Sequence, residues 1–513
     1  MSKNKLMKHY RLISFLCGWL AVLSMPPFFQ TWSLFISFST LLWIISLSDK
    51  AQKAFKGGYY FGFSFFAFGL FWINNALLLD SSTFWLIPIT FLATGLFFGL
   101  FIAIPSWICF YLKNNVSRYF SFASLIVIFE WFRSFFLTGF PWNLFGTSLV
   151  FSDSLIQTAS IGGTYLLSLL LILSTATPFL IITSTSKYRL GYMIIPFAIF
   201  STMYIYGNIR LNKYPYHPSD ILIRIVQPSI PQNIKWSPAS LEQNLNTHIK
   251  MSQIPSNKKI DFIIWSETAF PFSIEYDDYH RSLLTYAIPP NSKLITGGIR
   301  YQKKQYNQYN IYNSMFIVNS NQNIIGYYDK SHLVPFGEYI PLRKYLPQWL
   351  QPIASHIGNF SAGINKKPLS INNYPTLGGI ICYEVIFPHQ ITDKINRPQW
   401  LVNLTNDGWY GNSAGPRQHF AATRLRAVEE GITIARAAGS GISALISPTG
   451  TVIKKLSLNQ IDNLDVFLPS NISFSTIYSH YGNNITLVLS LIFLIGGLLF
   501  ELAKKSIKVS KTK

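Results

Sequence analysis

The stretch GGIICYEVIFPHQ, Gly378 to Gln390, runs an apolar segment straight into a cysteine, Cys382, with a glutamate two residues further on. An apolar run of this length reads as a buried strand. Cys382 at its exit is open to two readings, a small buried hydrophobe or a nucleophile. Similar runs flank it: ILIRIVQ (221–227), DFIIWSE (261–267), KLITGGI (293–299), SMFIVN (314–319), WLVNLTND (400–407) and ISALISP (442–448), with LGGIICYE covering 377–384. Helical patterns fit 237–253 and 416–431. Strands interleaved with helices argue for an α/β domain whose apolar strands are buried between helical layers.

The rest of the chain differs in kind. Of the 513 residues only 12% are charged and 16% are aromatic, which points to a membrane. Apolar stretches long enough to cross about 30 Å of hydrocarbon lie near 11–25, 30–48, 58–79, 84–111, 118–137, 160–184 and 190–206, with a last one at 484–503. The first follows KNKLMKHYR, but LSMPPFF offers no small-residue cleavage site, so it reads as a retained helix. Eight transmembrane helices are expected. Lys and Arg gather on the cytoplasmic side of short loops. Lys3, Lys5, Lys8 and Arg11, then Lys50, Lys53 and Lys56, Lys113 and Arg118, Lys187 and Arg189 mark one side, as do Lys504, Lys505, Lys508, Lys511 and Lys513. The loops at 80–83 and 138–159 carry no Lys or Arg and fall on the other. Residues 207–480 are therefore expected outside, with both termini cytoplasmic.

The net charge of +21 is scattered among hydrophobic segments instead of forming a stripe beside stacking aromatics, which argues against nucleic acid. The three cysteines, Cys17, Cys109 and Cys382, are too few and too far apart for a disulfide framework or a Cys-x-x-Cys metal site. Cys17 and Cys109 sit inside apolar runs. Only Cys382 lies in a polar part of the chain.

Three polar residues stand at strand ends or in the turns beyond them: Glu267, Lys330 and Cys382. A carboxylate can act as base for a thiol, and an ammonium beside them favours thiolate and stabilises an oxyanion. Together they make an acyl-transfer site. Each also has a plainer reading, as a turn cap, a solvated lysine or a packing cysteine, and spacing alone does not bring them together. Glu130 and Arg133 stand three apart on one predicted helix, and support of the GFPWN loop is expected of them in preference to a transport role.

The blocks WSETAFPF (265–272), YDKSHLVPFGEYIP (328–341), GGIICYEVIFP (378–388) and the run from Leu401 to Gly450 resemble, in order, the successive blocks of the nitrilase (carbon–nitrogen hydrolase) superfamily. With seven apolar stretches before and one after, the whole chain resembles the apolipoprotein N-acyltransferase family of bacterial inner membranes. EWFRSFFLTGFPWNLFG (130–146) and VQPSIPQNIKW (226–236) carry the same resemblance. It implies a polytopic α-helical membrane domain at 1–206, an α/β nitrilase-like α-β-β-α sandwich at 207–480 on the periplasmic side, a C-terminal span at 484–503 and a basic cytoplasmic tail at 504–513.

By resemblance, Glu267 is the general base, Lys330 the oxyanion stabiliser and Cys382 the nucleophile. Glu338 matches a glutamate that orients the lysine or shuttles protons, Tyr383 and Glu384 match positions that shape the site, and Trp236 matches an aromatic at the substrate entrance. Plainer readings stay open for Glu338, an ordinary loop acid, and Trp236, packing. The implied reaction moves the sn-1 acyl chain of a phospholipid, typically phosphatidylethanolamine, through a Cys382 thioester to the α-amine of a diacylglyceryl-cysteine apolipoprotein. No cofactor or metal is implied, and nothing demands more than a monomer. The segment 341–358 is a candidate arm over the site, or a packed amphipathic helix. Two other readings use the same residues or fewer: a membrane-tethered amidase with water as acceptor, and a transporter or scaffold with an outer sensory domain. The second is disfavoured by the scarcity of charges inside the apolar stretches.

Overall fold

A computed structural model describes residues 3–304, 309–347, 351–353, 359–364 and 366–511, with side chains from residue 6 to residue 503. The chain forms two compact units, Met1–Lys213 with Thr476–Lys513, and Tyr214–Ser475.

In the first unit the apolar stretches are helical: Tyr10–Val22, Ser33–Leu47, Ala51–Gly69, Leu86–Phe110, Asn115–Arg133, Ala159–Thr175, Thr177–Thr183, Ile194–Lys213 and Asn484–Lys511. Among the described residues four segments are long and apolar enough to cross a membrane: Leu86–Phe110, Ala159–Thr183, Arg189–Lys213 and Asn484–Ala503. The bent pair Ala51–Gly69 and Phe71–Leu79 makes a fifth if it is one span. This is fewer than the eight expected. Tyr10–Val22 and Ser33–Leu47 have 13 and 15 residues, short of the roughly 20 that a full crossing takes, and Asn115–Arg133 carries Arg118, Glu130 and Arg133.

Small residues let helices approach. A Cβ at Gly62 would lie 2.8 Å from the Gly99 carbonyl oxygen, so Ala51–Gly69 and Leu86–Phe110 meet almost backbone to backbone. Glu130 and Arg133 hold the loop after their helix, as expected. Glu130 Oε1 accepts the Phe145 N–H at 2.7 Å, and Arg133 donates to the carbonyls of Phe140 (2.7 Å) and Trp142 (2.6 Å). The guanidinium also lies 4.9 Å from the centroid of Phe66, so its charge is spent on loop carbonyls and a ring face.

Among the described residues, the second unit holds two sheets. The strands are β1 (Pro218–Gln227), β2 (Phe262–Ile264), β3 (Lys293–Lys303), β4 (Tyr309–Asn319), β5 (Ile324–Asp329), β6 (Leu377–Ile381), β7 (Trp400–Leu404), β8 (Thr433–Ala437), β9 (Ser443–Ile446), β10 (Val452–Leu456) and β11 (Asp462–Pro469). One sheet has the order β11-β1-β2-β3-β4-β5, the other β10-β9-β8-β7-β6. β1, β2 and β3 run parallel, as do β6, β7 and β8, and the outer strands pair antiparallel.

The inner faces pack on each other through Ile223, Ile225, Phe262, Ile264, Met315, Ile381, Trp400, Val402 and Leu404. Alternate residues of β1 and β2, Leu222, Val226 and Ile263, face outward and are covered by Leu245 and Ile249 of the helix Leu241–Ser252. The helix Ala414–Glu430 lies over the other sheet, where Thr423 accepts from Arg436 of β8 at 3.1 Å. The layers are helix, sheet, sheet, helix, the nitrilase-like α/β sandwich expected.

Four expected strands end early. β2 stops at Ile264, β6 at Ile381, β7 at Leu404 and β9 at Ile446, because the chain turns just where the polar residues begin. β5, β8, β10 and β11 lie outside the expected strands. β8 follows a helix after only Gly431 and Ile432 and carries a charged Arg436, and β11 alternates polar residues with the buried Leu464, Val466 and Leu468. The arm expected over 341–358 falls partly outside the described residues, at 348–350 and 354–358; its described part has one turn at Arg343–Tyr345.

Candidate active site

Glu267 stands three residues past β2, in a turn that continues the sheet's pairing: Trp265 N–H donates to the Ile295 carbonyl at 2.8 Å and Gly297 N–H to that of Ser266 at 3.2 Å. Gly297 makes room for this turn, since a Cβ there would lie 2.3 Å from the Thr268 nitrogen. Thr268 has φ +48° and Cys382, the first residue past β6, φ +49°. Left-handed backbone at a β-branched residue and at a cysteine costs on the order of 1–3 kcal/mol each and persists where the surroundings over-determine it. Both turns lie at the C-terminal ends of parallel strands, where open α/β sheets collect ligands.

Lys330 follows β5 and is 1% exposed. Its ammonium donates to Glu338 Oε1 at 2.9 Å and lies 3.6 Å from Glu267 Oε1. Asn313 of β4 donates to both carboxylates, at 2.7 Å to Glu267 Oε1 and 3.1 Å to Glu338 Oε1. Glu338 Oε2 accepts the Val334 N–H at 2.8 Å. Glu267 Oε2 is buried with no hydrogen-bond partner among the described residues. Burial works against the Lys330 ammonium, but Glu338, Glu267 and Cys382 outweigh it and raise its proton affinity, so the lysine stays charged.

Cys382 is 5% exposed. Burial and then the Glu267 carboxylate push its thiol up to about 12, against the pull of Lys330 and a hydrogen bond with Thr405. Its resting form is the thiol. Sγ lies 4.0 Å from Tyr410 Oη. Beneath it, His419 Nε2 approaches the Cys382 carbonyl at 3.1 Å while Nδ1 meets Asp407 Oδ1 at 2.8 Å, and Arg436 donates to Asp407 Oδ2 at 2.8 Å.

Glu384 is tied to its neighbours on both oxygens. Oε1 accepts from Tyr328 Oη (2.7 Å), from the N–H (2.8 Å) and hydroxyl (2.7 Å) of Ser331 and from His332 N–H (3.2 Å), and Oε2 from Ile381 N–H (2.7 Å). It joins the turn after Lys330 to the exit of β6. Tyr383 is buried, with its ring 5.1 Å from Phe387 and 5.7 Å from His332. Trp236 is half-buried and packs against Ile299, Leu333 and Phe360.

Glu267, Lys330 and Glu338 are thus brought together in direct contact, with Cys382 within electrostatic reach of the first two. Sequence reasoning missed Asn313, Lys235, whose ammonium donates to the Glu267 carbonyl at 2.9 Å, and the set Asp407, His419 and Arg436. The signal for Asn313 and Arg436 is a polar residue inside an apolar strand, in IYNSMF and GITIARAA, which a fold buries only with partners. Among the described residues no cluster of His, Cys, Asp and Glu is arranged to hold a metal.

Residues 17–177 match the apolipoprotein N-acyltransferase N-terminal domain, and residues 222–469 the carbon-nitrogen hydrolase family. The chain is 37% identical to the apolipoprotein N-acyltransferase of Rickettsia prowazekii over 94% of its own length and 97% of that protein's. It is 34% identical to that of Rhodopseudomonas palustris over 92% and 91%. A solved amidase from Nesterenkonia sp. aligns with 50% of this chain and 93% of its own at 20% identity and a TM-score of 0.36. With relatives matched end to end and both domain families in order, the chain is an acyltransferase and belongs to the apolipoprotein N-acyltransferase family.

Proposed function

We propose that this enzyme moves an acyl chain from the sn-1 position of a phospholipid, phosphatidylethanolamine by preference, to the N-terminal amine of a diacylglyceryl-cysteine apolipoprotein, by way of a thioester on Cys382. The observation that carries this reading is the Glu267 carboxylate. One oxygen is fixed by Asn313 beside Lys330, and the other is buried and unpartnered among the described residues. A base held this way is ready to take a proton from a thiol that burial keeps protonated.

In the first half-reaction Cys382 Sγ attacks the ester carbonyl and its proton passes to Glu267. The carbonyl oxygen becomes an oxyanion, stabilised by the Lys330 ammonium. The C–O bond to glycerol then breaks, Glu267 returns the proton to the leaving oxygen, and a lysophospholipid departs. In the second half the neutral α-amine attacks the thioester, a proton again passes to Glu267, the C–N bond forms, and the C–S bond breaks as the thiol is restored. Glu338 holds Lys330 in place, Glu384 and Tyr383 shape the turn around the nucleophile, and Trp236 borders the substrate entrance. The two halves share one site, a ping-pong scheme.

The membrane arrangement follows the same reading. The apolar helices of 1–206 and 484–503 cross a bacterial inner membrane as the membrane domain, with residues 207–480 on the periplasmic side. Both termini and the tail 504–513 are cytoplasmic, and a monomer suffices. The loop charges of the sequence and the four or five apolar helices support it.

Intact mass spectrometry tests the chemistry. Incubation with phosphatidylethanolamine is expected to add one acyl mass at Cys382, absent in Cys382→Ser, stable in water and discharged by a diacylglyceryl-cysteine peptide. An adduct discharged by water as fast as by peptide identifies a tethered hydrolase, and no adduct overturns the thioester.

A further inference from the structure

The turn that carries Lys235 is held on several sides. Gln232 accepts the Asn406 amide at 2.9 Å, the Lys235 carbonyl accepts that of Asn244 at 3.0 Å, and Trp236 is packed into the Ile299 cluster. From this anchored turn the Lys235 ammonium reaches the carbonyl of Glu267 at 2.9 Å, next to the left-handed Thr268. Among the described residues, the Glu267 and Glu338 carboxylates of the buried set contact one ammonium, that of Lys330. A second ammonium brings its formal charge to zero.

We propose that Lys235 is the second cation of the catalytic site, a positioning residue that fixes Glu267 through its carbonyl and supplies positive charge favouring the Cys382 thiolate. The inference rests on Cys382 being the nucleophile. Burial pulls the Lys235 ammonium down to about 8, against Glu267 and Cys382, which favour its charge, so this lysine changes charge within the range where the enzyme can be assayed. The ionisable groups that face it are Glu267, Cys382 and His248; burial pulls His248 down to about 4, which leaves it neutral across that range. Lys330 meets Glu267 at its carboxylate, 3.6 Å from Oε1, whereas Lys235 meets it at the backbone carbonyl. The sign is fixed: a neighbouring cation lowers a thiol's proton affinity, and its loss raises it.

The test is the rate at which iodoacetamide alkylates Cys382 from pH 7 to 10 in the full-length protein. Peptide mass spectrometry separates Cys382 from Cys17 and Cys109. Thiolate is the reactive form, so the rate follows its fraction. Lys235→Met is expected to react about tenfold more slowly than wild type at pH 7, the effect of about one unit in thiol proton affinity. The gap closes above pH 9, where the wild-type lysine is itself neutral. Lys235→Arg, charged throughout, matches wild type at pH 7 and exceeds it above pH 9. A ratio between Lys235→Met and wild type that does not change with pH overturns the proposal. So does a Lys235→Arg profile that never rises above wild type, and this arm decides alone if the methionine variant does not fold. No lipid is present, so the outcome is separate from that of the acyl-adduct experiment.

Discussion

Two buried ionic clusters flank Cys382, one of Glu267, Lys330 and Glu338 and the other of Asp407, His419 and Arg436, and they differ in how fully their oxygens are engaged. Asp407 is bonded on both, through His419 and Thr405 on Oδ1 and Arg436 on Oδ2. Among the described residues Glu267 is bonded on Oε1 alone. A buried carboxylate with every oxygen engaged holds the fold, whereas one with a free oxygen keeps a place for a proton. On the proposed mechanism, the second cluster is the floor under Cys382 and the first is where protons would move.

Lys330→Met and Arg436→Met break this comparison most forcefully. Each strands buried carboxylate charge, and each is expected to cost about 3–5 kcal/mol in stability, read from thermal unfolding. They part in single-turnover acylation per folded molecule. Lys330→Met loses roughly 10²–10³ in rate because the oxyanion loses its donor, while Arg436→Met stays close to wild type.

The pH dependence of unfolding separates the clusters next. Burial opposes ionisation of Asp407, but Arg436 and His419 outweigh it and hold the carboxyl below its usual range. A depressed folded value contributes stability above the unfolded value of about 3.9, and that stability is lost as pH falls through the folded value. Asp407→Asn is expected to be less stable near neutrality and to flatten the acid limb of the unfolding curve. An unchanged limb removes Asp407 from the floor.

Asn313→Ala gives the smallest effect, because it removes one donor shared between Glu267 and Glu338 without removing a charge. A hydrogen bond to a charged group is worth about 1.5–3 kcal/mol, and a loosened base slows acylation by roughly ten- to a hundredfold. Asn313→Asp, which adds a third carboxylate, is expected to be worse than alanine in the same assay.

The comparison also shows where the sequence is legible. Glu267 and Cys382 come just after apolar runs, and Lys330 lies in a polar turn, so their place at the rim of a core can be read directly. Asn313, Arg436 and His419 sit within a strand or a helix, and what they bond to depends on which strands neighbour each other, which spacing does not disclose. β8 and β11 escaped for a related reason: one follows a helix after only Gly431 and Ile432, and the other sets its buried leucines and valine between more exposed residues. In the membrane half the apolar stretches translate into helices almost one for one, but the lengths of Tyr10–Val22 and Ser33–Leu47 fall short of what the stretches suggested.

The central claim is that Glu267 takes the Cys382 proton, and the rate of acyl-adduct formation in Glu267→Gln against wild type tests it most directly. Glutamine keeps the shape and an oxygen for Asn313 but cannot accept the proton. The expected result is a fall of about 10²–10⁴ in that rate, with a melting temperature close to wild type; acylation at the wild-type rate would contradict the account.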